Sequence, residues 1–152
     1  MRLRTLIIDD ETHVRRSLSL MLEEECPNVV IVGTADSVKS GLEAIEKHHP
    51  DLVLLDIKMA DGTGFDLLQK ARPVNFRVIF ITAFEEYAIQ AFRFSAIDYL
   101  LKPVNSMDLA EAISKAVSSF WQDFALQLKA LEENLASKEL SEKKIILKTN
   151  DS

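Results

Sequence analysis

The sequence predicts an α/β protein: a doubly wound, five-stranded parallel sheet with helices on both faces, followed by a C-terminal helical extension. Three observations carry this. Five short apolar runs rich in β-branched residues recur along the chain, and segments of helical apolar spacing separate them. The runs are apolar at consecutive positions, as strands buried on both faces are. A β-α unit repeated five times then requires crossover connections and two helical layers.

The first strand is expected at "TLIID" (5–9), and the helix after it carries Val14, Leu18, Met21 and Leu22 on one stripe. Pro27–Asn28 ends that helix. The second strand is "VVIVGTA" (29–35), with Val38, Leu42 and Ile45 forming the next stripe before Pro50. The third is "DLVLLDI" (51–57), with Phe65 and Leu68 beginning a helix that stops by Pro73. The fourth is "RVIFITA" (77–83), and Ala88, Ala91 and Phe92 mark a short helix. The fifth is "AIDYLLK" (96–102), and Asn105 or Ser106 can cap a last helix carrying Leu109, Ile113 and Val117.

Composition narrows the function. At 152 residues and 47% hydrophobic content, the chain suits one compact domain plus an appendage. The net charge of −6 argues against a nucleic-acid surface, because neutralising phosphates needs a basic patch. Cys26 is the only cysteine, which excludes an internal disulfide and a cysteine-built metal site. Runs such as "LVLL" (52–55) are too short to cross a bilayer, and the N-terminus turns acidic where a signal peptide would stay apolar. A soluble cytoplasmic protein is expected.

Ligands of a doubly wound sheet bind beyond the carboxyl ends of its strands. Asp9 and Asp10 end the first strand, Asp56 the third, Thr82 the fourth and Lys102 the fifth. Carboxylates gathered at one rim repel unless a cation joins them. An oxygen-only site suits a hard divalent ion, here Mg²⁺. Lys102 adds a point charge fit for a phosphate, and Thr82 a hydroxyl. Asp56 beside a metal is a credible nucleophile toward phosphorus. Each residue alone has a plainer reading. Asp10 could cap the first helix, Lys102 could be a solvated surface residue, and Tyr99 a partly buried strand aromatic.

Four segments in order, "IIDDE" (7–11), "LLDIKMADGTGFDLL" (54–68), "FITAF" (80–84) and "DYLLKPV" (98–104), resemble the response-regulator receiver domain of two-component signalling. The resemblance covers about residues 1–120 and implies the flavodoxin-like (CheY-like) fold. It implies Asp56 as phospho-acceptor, with Asp10, Asp56 and the Lys58 carbonyl binding Mg²⁺ directly and Asp9 supporting the ion through water. It also implies that Lys102 pairs with Asp56 and then with the phosphoryl group, that Thr82 hydrogen-bonds that group, and that Tyr99 is an aromatic switch. The implied donor is a histidine kinase or a small phosphodonor. Ala60 stands where the family usually has proline, which leaves the rigidity of that loop open.

The stretch "TAFEEYAIQAFRFSAIDYLLKP" (82–103) is similar to receivers joined to LytTR-type (LytR/AlgR) DNA-binding domains. "KKIILKTNDS" (143–152) resembles the opening strand of such a domain. The expected organisation is a receiver over 1–120, a linker helix over 121–141 and the start of a truncated LytTR-type domain over 142–152. From Val117, the apolar residues Trp121, Phe124, Leu128, Leu131 and Leu135 follow heptad spacing. That stripe either joins two receivers as a coiled-coil homodimer or folds back on its own receiver. DNA would be met only through the missing domain.

Three functions compete at this point. One is a phosphorylation switch controlling transcription. Another is a Mg²⁺-dependent phosphohydrolase, disfavoured because Lys58 stands where a second acid-base carboxylate would be needed. The third is a phosphorylation-independent dimerisation module.

Overall fold

The computed structural model describes residues 2–150, with side chains described over residues 2–138. The strands are β1 (Leu3–Ile8), β2 (Val29–Ala35), β3 (Leu52–Leu55), β4 (Lys58–Met59), β5 (Gly62–Thr63), β6 (Arg77–Thr82) and β7 (Asp98–Leu101). The helices are α1 (Thr12–Glu25), α2 (Val38–His48), α3 (Gly64–Lys70), α4 (Ala88–Arg93) and α5 (Ser106–Asn150). Five strands form one sheet in the order β2-β1-β3-β6-β7, every pairing parallel. The order reverses at β1 and β3, and that switch point opens the crevice in which such sheets bind ligands.

Consecutive apolar residues make sense in this setting. Leu6, Ile7 and Ile8 of β1 and all four residues of β3 are buried, because helices cover both sheet faces. Phe65, Leu67 and Leu68 of α3 pack into the same core as Phe80 and Val53. Burying a side chain of this size contributes roughly 1.5–3 kcal/mol before conformational entropy is subtracted.

Local chemistry sets the ends of the helices. Asn105 caps α5: its Oδ1 accepts the Asp108 N–H at 2.8 Å, and its amide donates to Asp108 Oδ2 at 3.0 Å. Thr63 caps α3, accepting the Asp66 N–H at 3.1 Å. Cys26 lies buried at the C-terminal cap of α1, and burial pushes its thiol pKa up. The short α4 turns Ala91 inward and leaves Phe92 81% exposed. The sequence places Phe92 on the inner stripe, but a helix this short buries only one narrow face.

The chain divides into two units after Val117. In the first, Leu109, Ala112, Ile113 and Ala116 are buried. In the second, Trp121, Phe124, Leu128, Leu131 and Leu135 are exposed. Trp121 makes edge-on contacts with Phe120 and Phe124, both at 5.5 Å between centroids. The backbone is helical to Asn150, where a strand start is expected from 143. A strand needs a hydrogen-bonding neighbour, whereas a helix satisfies its backbone internally. Residues 151 and 152 lie outside the described residues.

Candidate functional site

Strand ends assemble the site. Asp9 directly follows β1 and continues its buried run, so its carboxylate is almost completely enclosed at 1% exposure. Its Oδ1 accepts the Glu11 N–H at 2.9 Å, and its carbonyl accepts Arg15 Nη1 at 2.6 Å. Asp9 is thereby fixed against the start of α1. Asp56 directly follows β3, the neighbouring strand, and is 6% exposed. Its Oδ1 accepts the Ile57 N–H at 2.7 Å.

Lys102 follows β7 and brings a cation to both. Its Nζ lies 2.8 Å from Asp9 Oδ2, 3.0 Å from Asp56 Oδ2 and 2.8 Å from Glu11 Oε2. Asp9 Oδ2 is buried, and the Lys102 ammonium at 2.8 Å is its charged partner. Burial opposes the charge on Lys102, but the three carboxylates outweigh it and raise the ammonium pKa. Burial, and then the charge of Asp9, raise the Asp56 pKa, against the pull of Lys102 and the Ile57 N–H. Hydrogen bonding to Lys102 lowers the Glu11 pKa.

Asp9, Glu11 and Asp56 each offer an oxygen within 4.8 Å of the others. Three carboxylates against one ammonium leave two negative charges in excess. A hard divalent cation matches both that excess and the oxygen-only donors. The ammonium covers one side of these oxygens and leaves their excess charge unmatched, so the donor set of Asp9, Glu11 and Asp56 fits such an ion.

Asp10 does not join this cluster, since it is exposed while Asp9 turns inward. Nor does Asp10 bond to the start of α1, a role that Asp9 takes at the Glu11 N–H. Glu11 is the residue that sequence reasoning left without a role. It is the N-cap of α1, with extended backbone at φ −93° and ψ 115°. The third acid of "IIDDE" was its only signal.

Thr82 is fully buried at the end of β6, and its Oγ1 accepts the Phe84 N–H at 3.4 Å. Tyr99, on β7, packs against Phe80 with centroids 6.2 Å apart, and its hydroxyl donates to the Phe84 carbonyl. Lys58 is exposed in the short β4–β5 hairpin beyond Asp56. Ala60 lies at the turn of that hairpin, but its loop is tied down elsewhere. Asp61 accepts the Val38 N–H at 2.8 Å and the Lys39 N–H at 3.0 Å, which joins the loop to the N-terminus of α2. Gly64 permits a close approach, since a Cβ there would sit 2.5 Å from the Asp56 carbonyl oxygen. Gly62 has φ +149°, open to glycine and strained for other residues.

A parallel doubly wound sheet with a buried acid pair, a lysine and a threonine at adjacent strand ends defines an α/β protein whose rim suits a divalent cation and a phosphoryl group. Residues 5–114 match the response regulator receiver domain. The chain is 36% identical over 138 residues to the sensory transduction protein LytT of Enterococcus faecalis, covering 90% of this chain and 54% of that one. It is 42% identical over 112 residues to an uncharacterised response regulatory protein of Vibrio cholerae, covering 72% and 43%. Among solved structures, the REC domain of AraT from Geobacillus stearothermophilus superposes with a TM-score of 0.73 at 30% identity, covering 81% of this chain and 98% of that one. The chain belongs to the response-regulator receiver family of two-component signalling. It spans about half the length of the curated relatives it matches.

Proposed function

We propose that this receiver accepts a phosphoryl group on Asp56 and passes the event on as a change of shape and pairing. The observation that carries this is the Lys102 ammonium held between Asp9 and Asp56, each within 3.0 Å. A carboxylate oxygen of Asp56 attacks phosphorus. The bond from phosphorus to the donor, a kinase phosphohistidine or a small acyl phosphate, breaks as the new O–P bond forms. Lys102 moves its charge onto the phosphoryl oxygens, and the Thr82 hydroxyl donates to one of them. Such transfer needs positioning and charge neutralisation more than acid–base machinery.

Mg²⁺ would be held by Asp9, Asp10 and Asp56 with the Lys58 carbonyl, and would neutralise charge on the incoming group. Asp9 and Asp56 are the buried part of this set, and Asp10 is its exposed carboxylate. Glu11 serves to draw Lys102 toward the acids at 2.8 Å. Tyr99 reports the state of Thr82 through Phe84, which bonds to both.

The readout proposed is dimerisation. The exposed stripe from Trp121 to Leu135 pairs two copies as a coiled coil, bringing together LytTR-type DNA-binding domains carried by the longer protein. The protein acts in the cytoplasm, receives the phosphoryl group from a sensor histidine kinase and is a stoichiometric acceptor, not a turnover enzyme. Among the described residues, no helix is long and apolar enough to cross a membrane.

Intact mass after incubation with acetyl phosphate and Mg²⁺ tests this reading. One added phosphoryl group on the wild type and none on D56N is expected. Addition to both overturns the acceptor assignment, multiple turnover of the donor points to a phosphohydrolase, and no addition points to a scaffold.

A further inference from the structure

We propose that Lys58 is a positioning residue for the switch: its ammonium clasps the Phe84 ring and so holds the Phe84 carbonyl where Tyr99 donates to it. This deepens the reading of the site given above and rests on it. Lys58 Nζ lies 4.2 Å from the centroid of Phe84 and 5.7 Å from that of Tyr87. Both are within the range of cation–π attraction. Phe84 and Tyr87 meet edge-on at 6.2 Å, so the ammonium faces a two-ring platform. Among the described residues Lys58 makes no ion pair, although Glu85 and Glu86 adjoin that platform in sequence.

The clasp joins two loops. β3 and β6 are neighbours, with Leu55 opposite Phe80, so the loops that leave their carboxyl ends lie side by side. Lys58 belongs to the loop that follows Asp56, and Phe84 to the loop that follows Thr82. The backbone of Lys58 is held in the hairpin opposite Thr63, itself the cap of α3. Its side chain therefore reaches Phe84 from a fixed base. Phe84 spends its backbone on the switch: its N–H donates to Thr82 Oγ1, and its carbonyl accepts from the Tyr99 hydroxyl. Holding the ring restricts both backbone groups, and Tyr99 stays inward without a phosphoryl group.

The test uses the full chain bearing Y87F, which keeps the ring of residue 87 and leaves Tyr99 as the remaining tyrosine of the original two. With 3-fluorotyrosine incorporated, ¹⁹F NMR reports the environment of Tyr99. K58M keeps the aliphatic stem and removes the charge. It is expected to lower the inward-to-outward ratio about two- to five-fold, the size of one exposed cation–π contact. K58R and F84W are expected to hold the parent ratio, while F84L falls with K58M. A K58M spectrum identical to the parent overturns the proposal, as does a K58R spectrum that moves with K58M. Should K58M fail to fold, the contrast of F84W with F84L decides in the same way. All spectra are taken without phosphodonor. A parent chain that takes up no phosphoryl group in the mass assay therefore sinks the acceptor reading and leaves this comparison intact.

Discussion

Lys102 Nζ lies 2.8 Å from Asp9 Oδ2, although β3 and β6 stand between their two strands in the sheet. The lysine reaches back across the rim because three carboxylates need its charge. K102M leaves Asp9 and Asp56 buried without a cation. Breaking a largely buried pair of this kind costs about 3–5 kcal/mol. Urea denaturation at neutral pH is expected to show that loss, and a mildly acidic series to show it shrinking as Asp56, whose pKa is raised, takes up its proton.

Asp56 is a site of electrostatic cost in the unphosphorylated protein. Its pKa is raised by burial and by Asp9, so the folded state holds the Asp56 proton more tightly than the unfolded chain. Stability from this group is therefore lost as pH rises from the unfolded value through the raised one. D56N escapes that loss. Its thermal midpoint without Mg²⁺ is expected to exceed wild type at neutral pH, with the gap closing on acidification. An unchanged gap across that series contradicts the assignment.

Mg²⁺ should reverse the comparison. A ligand at ten times its dissociation constant stabilises the folded state by about 1.4 kcal/mol. Wild type is expected to gain this in a Mg²⁺ titration followed by thermal melting, and D56N much less.

Gly64 bears on chemistry through the backbone. A Cβ placed 2.5 Å from the Asp56 carbonyl oxygen forces the chain apart at the acceptor. G64A is expected to lose about 1–3 kcal/mol of stability by overpacking. Phosphorylation by acetyl phosphate should slow by up to roughly 100-fold, because small misplacements of a reacting group carry large rate costs. A rate equal to wild type would show that the loop relaxes without moving Asp56.

Asp61 ties the loop that carries Lys58 to α2, and its two backbone hydrogen bonds lower its pKa. Stability from such a carboxylate is present above the unfolded pKa and is lost as pH falls through the depressed one. D61A is expected to speed hydrogen exchange at Val38 and Lys39 at neutral pH, with the difference fading in acid.

The strands were legible because consecutive β-branched apolar residues leave few alternatives in an alternating chain. Asp9, Asp56, Thr82 and Lys102 were legible at the rim for the same reason: each closes a strand. What pattern could not resolve was phase. Asp9 and Asp10 are adjacent, and a strand buried on both faces gives no alternation from which to tell that Asp9 is enclosed and Asp10 exposed. The same turn of chain brings in Glu11, whose role depends on the backbone angles at the α1 cap. Loop order was hidden too, because Asp61 works through neighbours 22 and 23 residues away.

Lys102 meets Asp56 from 46 residues away and Glu11 from 91. No short stretch of this polypeptide contains the acceptor's surroundings. A nascent or partly unravelled molecule offers a kinase only an ordinary aspartate, so signalling competence doubles as a certificate that the whole sheet has been completed.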